Sequence, residues 1–283
     1  MDYILKLNDF ETYLYDEEKS GHTVKKYIRD VKLFFESSLD NQLCKKNLLA
    51  FKEKLVREYK PRSVNSMLAS INKFLEFLEE GNLKLKPIKI QKEIFTNPNT
   101  ELTDAEYRRL LEAAEEIENQ RLFFIIQTIG LTGIRVSELE YITINALYNG
   151  RATVICKGKQ RIVLIPKYLR KLLIKYCKDN HITEGIVFKT KNGKPIDRSN
   201  IWKMMKKLCK SANVLEGKVF PHNLRHLFAR TYYDIEKDIN KLADILGHSN
   251  INTTRIYLME TGEDHERQID KLSHYLLAQR NTT

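Results

Sequence analysis

The sequence predicts two folded parts: an α-helical N-terminal bundle, then a mixed, mainly α part that carries a small antiparallel β-hairpin. The pattern leads there in three ways. Apolar residues recur at helical spacing through residues 5–78, a stretch with Pro87 and Pro98 follows, and beyond it two short β-rich runs stand among further helical ones. The length, 283 residues, suits one large domain or two ordinary ones, and 42% hydrophobic residues are enough to build cores.

Residues 5–18 place Leu5, Leu7, Phe10, Tyr13 and Leu14 at helical spacing. His22-Thr23-Val24 starts a second helix that runs through Phe35. Residues 48–59 and 63–78 give a third and a fourth, kept apart by Pro61 and closed by Gly81-Asn82. These four make a compact bundle over residues 1–83. Pro87, Pro98 and the turn-forming Asn97-Pro98-Asn99 mark 84–101 as a linker. The second domain, 102–283, opens on Thr103-Asp104-Ala105-Glu106, the pattern of a capping box. Within it, residues 121–129 read as a buried helix ended by Gly130 or Gly133. Residues 152–156 and 161–165 read as strands, joined by Lys157-Gly158-Lys159-Gln160 at a basic hairpin tip. Further helices are expected over 169–180, 199–212, 222–233 and 239–246.

Composition excludes several classes. The longest apolar runs, such as 122–126, are far short of the roughly 18–20 residues that span a bilayer, so no membrane partner is expected. The N-terminus has no basic segment followed by an apolar one, and Cys44, Cys156, Cys177 and Cys209 are too scattered for a zinc ribbon or a disulfide framework. A reducing, cytoplasmic setting is the expectation. Net charge is +11, and residues 151–210 hold 17 Lys or Arg against only Asp179, Glu184 and Asp197. A basic segment of that density suits a polyanion, most simply nucleic acid, although a solvated surface has the same composition.

The candidate chemistry is spread along the second domain. Arg135 follows a glycine-rich break, and Lys157 stands at the hairpin tip. Alone, each reads as an ordinary surface residue. His222, Arg225 and His226 share a helix face behind Pro221, where exposed N–H groups favour an anion. Leu246-Gly247 ends a helix and puts His248 on a short loop, and Tyr257 stands nine residues later. As a set these residues lack the paired carboxylates that hold Mg²⁺. They supply guanidiniums for a phosphodiester, a nucleophilic oxygen and proton donors. Metal-free attack on a DNA phosphate is the reaction such an inventory can run.

The segments Gly133-Ile134-Arg135-Val136-Ser137-Glu138-Leu139, Lys157-Gly158-Lys159, His222-Asn223-Leu224-Arg225-His226, Leu246-Gly247-His248-Ser249 and Tyr257 resemble, in order and spacing, the tyrosine recombinase (phage integrase) family. The resemblance spans about residues 101–283, and the N-terminal part looks like the family's core-site DNA-binding domain. It shows no departure from the family's catalytic set. It implies that Tyr257 attacks the scissile phosphate to leave a 3′-phosphotyrosine and a free 5′-hydroxyl. Arg135 and Arg225 would hold the non-bridging oxygens, Lys157 would protonate the leaving oxygen, His222 would accept the tyrosine proton, and His248 would donate a hydrogen bond to the phosphate. His226 would be a helper behind them. No cofactor and no metal is implied. The family architecture further implies a C-shaped clamp around double-stranded DNA at an inverted-repeat core site, working as a homotetramer, with or without a second recombinase or accessory protein. Arg267, Ile269, Leu272, Tyr275, Leu276, Leu277 and Arg280 make the C-terminal segment a candidate for docking on a neighbour or on its own domain.

Two rivals belong to other classes. A zinc hydrolase would use His222, His226 and His248, but Asn223 stands where a metalloprotease needs glutamate, and Arg225 would repel the dication. A DNA-binding protein of the same fold that does not cut is the other. The short layout resembles both Xer-type chromosome-dimer resolution enzymes and simple mobile-element recombinases.

Overall fold

The computed structural model describes residues 3–37, 42–91, 99–156, 159–190, 192–258, 266 and 269–271. The chain divides into two compact units, Met1–Lys92 and Glu93–Thr283. Among the described residues no helix is long and apolar enough to cross a membrane.

The first unit is a bundle of α1 (Tyr3–Asp16), α2 (Gly21–Ser37), α3 (Lys45–Glu58) and α4 (Pro61–Phe77). Pro61 occupies the first turn of α4, where its missing N–H costs nothing. The core is aromatic: Phe10 meets Phe74 edge-on at 5.0 Å, and Phe34 meets Phe51 at 5.3 Å. Asp30, fully buried on α2, accepts hydrogen bonds from Lys26 Nζ (2.6 Å), Arg29 Nη2 (2.9 Å) and Ser70 Oγ (2.8 Å), which ties α2 to α4.

Composition makes residues 84–101 a linker, yet 84–88 lie along the bundle. Asn72 brackets Leu85, donating to its carbonyl (2.8 Å) and accepting from its N–H (2.8 Å), and Asn65 brackets Ile88 in the same way (2.9 and 2.7 Å). Seven residues along a helix span about 10 Å. Three residues of extended chain cover nearly the same distance, so the two amides read alternate points of one extended segment. Leu85 is buried in the process.

The second unit contains α5 (Asp104–Glu116), α6 (Gln120–Thr132), α7 (Ile144–Asn149), α8 (Lys167–Asp179), α9 (Arg198–Lys207), α10 (Pro221–Glu236), α11 (Ile239–Leu246) and α12 (Ile251–Arg255). The expected capping box is present: Thr103 Oγ1 accepts from Glu106 N, and Glu106 Oε2 accepts from Thr103 N. The apolar helix α6 is central. Leu122, Ile125, Ile126 and Ile129 are fully buried, and α10 packs across it.

Strands β1 (Arg151–Cys156) and β2 (Lys159–Leu164) form the antiparallel hairpin. Pairing runs from Arg151↔Leu164 to Cys156↔Lys159, so the connection is two residues rather than the four expected. Lys159 and Gln160 belong to the strand, because a two-residue connection is the commonest hairpin closure. Ala152, Val154 and Val163 face the core, whereas Ile155, Ile162 and Leu164 face outward. Helix α9 is shorter than expected and gives way to turns after Lys207.

Where the chain enters this unit, Asn223 Nδ2 donates to Thr100 O (2.9 Å), and Arg230 Nη1 pairs with Glu101 at 2.8 Å. Arg230 Nη2 also donates to Leu102 O, and Leu102 is fully buried. The start of the unit is thereby fastened to α10.

Candidate active site

Helix α6 stops because Gly133 adopts a left-handed conformation (φ 61°). A Cβ there would lie 2.4 Å from the Phe228 ring, so the turn requires glycine. The chain then enters a short 3₁₀ helix, Val136–Tyr141, with Arg135 at its N-terminal cap. Glu138, buried one turn later, accepts from Arg135 N (3.0 Å), Arg135 Nη1 (3.1 Å) and Arg161 Nη2 (2.5 Å). Arg161, on β2, also donates from Nη1 to Ile245 O at 3.0 Å. One buried carboxylate and one arginine thus join the segment after α6, the hairpin and the end of α11.

Helix α10 begins at Pro221 and carries His222, Arg225 and His226 on adjacent turns. Arg225 is 1% exposed, an unusual place for an arginine. Its donors are directed to backbone carbonyls: Nη1 to Gly133 O, and Nη2 to Leu246 O at 2.8 Å. Nη2 also lies 3.0 Å from His248 Nε2.

Helix α11 ends at Gly247, again left-handed (φ 66°), with room for a Cβ denied by Arg161 Cδ at 2.3 Å. His248 follows, its Nδ1 2.9 Å from Thr254 Oγ1 on α12. A 3₁₀ turn, Ile256–Leu258, then packs on α10 and brings in Tyr257.

Tyr257 is 6% exposed and ringed by histidines. It stacks on His248 (5.5 Å, 13° between planes), meets His226 edge-on (4.3 Å, 80°) and lies tilted against His222 (5.7 Å). Its hydroxyl is 3.4 Å from His222 Nε2.

Burial and positive charge set the protonation states. Partial burial, then the charges of Arg225 and Arg135, depress the pKa of His222. Burial, then the same two arginines and Arg161, bring His248 down to about 4. His226, buried and beside His222 and Arg230, falls to about 3. All three imidazoles are neutral at pH 7. Burial, followed by the charge of Arg135, lowers Arg225 to about 10, which leaves it cationic at pH 7. For Glu138, burial raises the pKa, but the hydrogen bond from Arg135 N and the contact with Arg161 hold it below the usual carboxylate range. The pocket therefore combines fixed guanidinium charge with neutral proton acceptors, the arrangement that suits a phosphate and a phenol.

Of the residues singled out in the sequence, His222, Arg225, His248 and Tyr257 are joined by these contacts, Arg135 is tied to the end of α11 through Glu138 and Arg161, and His226 packs behind Tyr257 with Nδ1 3.9 Å from Glu101 Oε1. Lys157, between β1 and β2, lies outside the described residues, as does most of the C-terminal docking candidate. The histidines of the zinc rival surround a tyrosine with Arg225 among them. Among the described residues, no group of three His, Cys, Asp or Glu is placed to hold a metal ion.

Glu138, Arg161 and Thr254 are functional candidates that sequence reasoning missed. Arg161 had a detectable signal: it occupies the inward phase of β2, two residues before buried Val163. In the first unit, α2 and α4 border a groove of about 870 Å³ whose wall includes Lys25, Lys26, Arg29 and Lys32.

Residues 100–263 match the model of the phage integrase family, and residues 7–81 match its N-terminal SAM-like domain. The chain is 30% identical over 267 residues to the tyrosine recombinase XerA of Thermococcus kodakarensis, covering 91% of each. It is 30% identical over 272 residues to the TnP I resolvase of Bacillus thuringiensis, covering 88% of this chain and 93% of that protein. In fold it is similar to the lambda integrase (75–356) dimer bound to a COC′ core site, with a TM-score of 0.72, 20% identity, and coverage of 90% of this chain and 95% of that one.

Proposed function

The chain belongs to the phage integrase family of tyrosine recombinases and is a site-specific recombination enzyme; from that membership we propose that Tyr257 is its nucleophile on DNA. The observation that carries this is the Tyr257 hydroxyl 3.4 Å from the Nε2 of a neutral His222, in a pocket built around Arg225. A phenol is mostly protonated at neutral pH, so attack needs a base within hydrogen-bond reach. His222 accepts the proton as the Tyr257 oxygen bonds to phosphorus and the 5′-oxygen departs. Arg135 and Arg225 stabilise the charge of the five-coordinate phosphorus, and Lys157 protonates the departing oxygen. The 3′-phosphotyrosine keeps the energy of the bond, so the hydroxyl of a second strand displaces it without a nucleotide cofactor. His248 supplies a hydrogen bond to the phosphate.

The proposed partner is double-stranded DNA at an inverted-repeat core site. Residues 1–83 bind the core site, 84–101 connect, and 102–283 carry the chemistry. The groove between α2 and α4, where Lys25, Lys26, Arg29 and Lys32 outnumber Glu11 and Glu36, supports a DNA-binding role for the first domain. A homotetramer joins two such sites in the cytoplasm. The task is integration and excision of a mobile element, or resolution of chromosome dimers; the chain is similar both to the TnP I resolvase and to the tyrosine recombinase XerA.

Covalent capture tests the reading. Protein is mixed with sheared genomic DNA of its host in EDTA and denatured, and DNA still attached to protein is sequenced. Adducts are expected with the wild type and none with Tyr257→Phe. Trapped sequences at one inverted repeat near the replication terminus indicate chromosome resolution, whereas element ends indicate integration and excision. Equal adduct formation by both proteins removes Tyr257 from the nucleophile's role.

A further inference from the structure

Both ring nitrogens of His248 have partners inside the chain. Nε2 lies 3.0 Å from Arg225 Nη2, and Nδ1 lies 2.9 Å from Thr254 Oγ1. A guanidinium offers hydrogens and no acceptor, so Nε2 must accept. In the neutral ring the single hydrogen is then on Nδ1 and is donated to Thr254. Arg225 Nη2 has two hydrogens and an acceptor for each, Leu246 O and His248 Nε2. His248 therefore turns a lone pair toward the Arg225 side of the pocket. A phosphate also brings only lone pairs, and the two would repel.

We propose that Thr254 is the positioning residue that lets His248 change tautomer, from Nδ1–H in the free protein to Nε2–H when a phosphodiester occupies the site. A hydroxyl can accept a hydrogen bond or, after rotating its own hydrogen, donate one. In the change, the Nδ1 proton passes to solvent water at the part-exposed ring, water returns one to Nε2, and the ring stays neutral. Thr254 turns from acceptor to donor, so Nδ1 keeps a partner in both forms. The Arg225 hydrogen that pointed at Nε2 is released to a phosphate oxygen, beside the new Nε2–H. Thr254 is 0% exposed, so water has no access from which to replace its hydroxyl. The inference rests on the assignment of His248 to the phosphate, and it adds the residue that makes that assignment chemically consistent.

The test follows the nitrogens of His248 directly. Full-length protein labelled with ¹⁵N-histidine is observed by long-range ¹H–¹⁵N NMR, free and with inorganic phosphate as the probe, for the wild type, Thr254→Val and Thr254→Ser. The wild type is expected to show Nδ1–H alone and Nε2–H with phosphate. Thr254→Val keeps the shape and loses the hydroxyl; its ring should not change tautomer, and its adducts should form about tenfold more slowly, the rate equivalent of one hydrogen bond. Thr254→Ser should restore both, which a purely structural role does not predict. Nε2–H in the free protein, an imidazolium or an unchanged ring at saturating phosphate, or a Thr254→Val protein that behaves as wild type, each overturns the proposal. The NMR arm involves no cleavage, so it decides on Thr254 even if Tyr257→Phe still forms adducts and the nucleophile assignment fails.

Discussion

Glu138 holds two arginines with one buried carboxylate, and its pKa, below the usual carboxylate range, keeps it ionised at pH 7. Glutamine has the same shape but offers one oxygen where Arg135 and Arg161 supply donors from three nitrogens. Breaking a buried ion pair by removing one partner leaves the other charge uncompensated, so Glu138→Gln should destabilise the second unit by about 3 kcal/mol. It should also slow adduct formation, because Arg135 loses its support. Urea unfolding and covalent capture measure the two effects. Arg161→Lys is expected to behave similarly: a single ammonium cannot repeat the fork that reaches Glu138 and Ile245 O together. Full activity in both variants would mean that Arg135 is positioned by something else.

At the level of elements, the loop glycines set the geometry. Gly247→Ala puts a Cβ in left-handed backbone, at a cost of about 1–2 kcal/mol, and against Arg161 Cδ at 2.3 Å. Arg161 is fixed at both terminal guanidinium nitrogens, so it cannot give way without releasing Glu138 or Ile245. The variant should lower the melting temperature and adduct yield together. Gly217→Ala, with nothing within 4 Å of the added Cβ, should alter neither and serves as the control. Gly247 was visible in the sequence because a glycine after an apolar helix is a recognisable stop, and Gly133 was one of two candidates, with Gly130, for the end of α6. The capping box at Thr103 and the four N-terminal helices were legible for the same reason: their signals are local. The six-residue helix α7 and the 3₁₀ segment at Val136 were not, since two turns or fewer leave no periodicity to detect. The site was legible as an inventory but not as a place. Only His222, Arg225 and His226 are neighbours by spacing; Arg135, His248 and Tyr257 meet them because α10 crosses α6 and the chain after α11 folds back. Glu138 and Thr254 lie within or beside the recognised segments, yet an acid three residues after an arginine reads as a surface pair, and a threonine near a helix start reads as a cap.

For the whole molecule, charge and acid stability are linked through the second unit. His248 and His226 have pKa values of about 4 and 3, set first by burial and then by neighbouring positive groups. Unfolded, each titrates near 6.5. The folded state therefore binds fewer protons below that pH, and the stability that neutral histidines allow is complete above 6.5 and lost as pH falls toward the folded values. Each contributes a slope of up to about 1.4 kcal/mol per pH unit. Glu106 and Glu138, both held below the usual carboxylate range, act in the same direction but begin below about pH 4.5. Between pH 6.5 and 5 the histidines dominate. Trp202, the sole tryptophan, lies on α9, so its fluorescence reports unfolding of the second unit without interference from the first. The urea midpoint read from Trp202 should fall steadily from pH 7 to 5. His226→Gln removes one of the two strongly shifted rings and should flatten that fall by about half, whatever it does to stability at pH 7. An unchanged slope in this variant would place the acid sensitivity elsewhere, and would mean that the folded protein accepts a proton on His226 despite the positive groups around it.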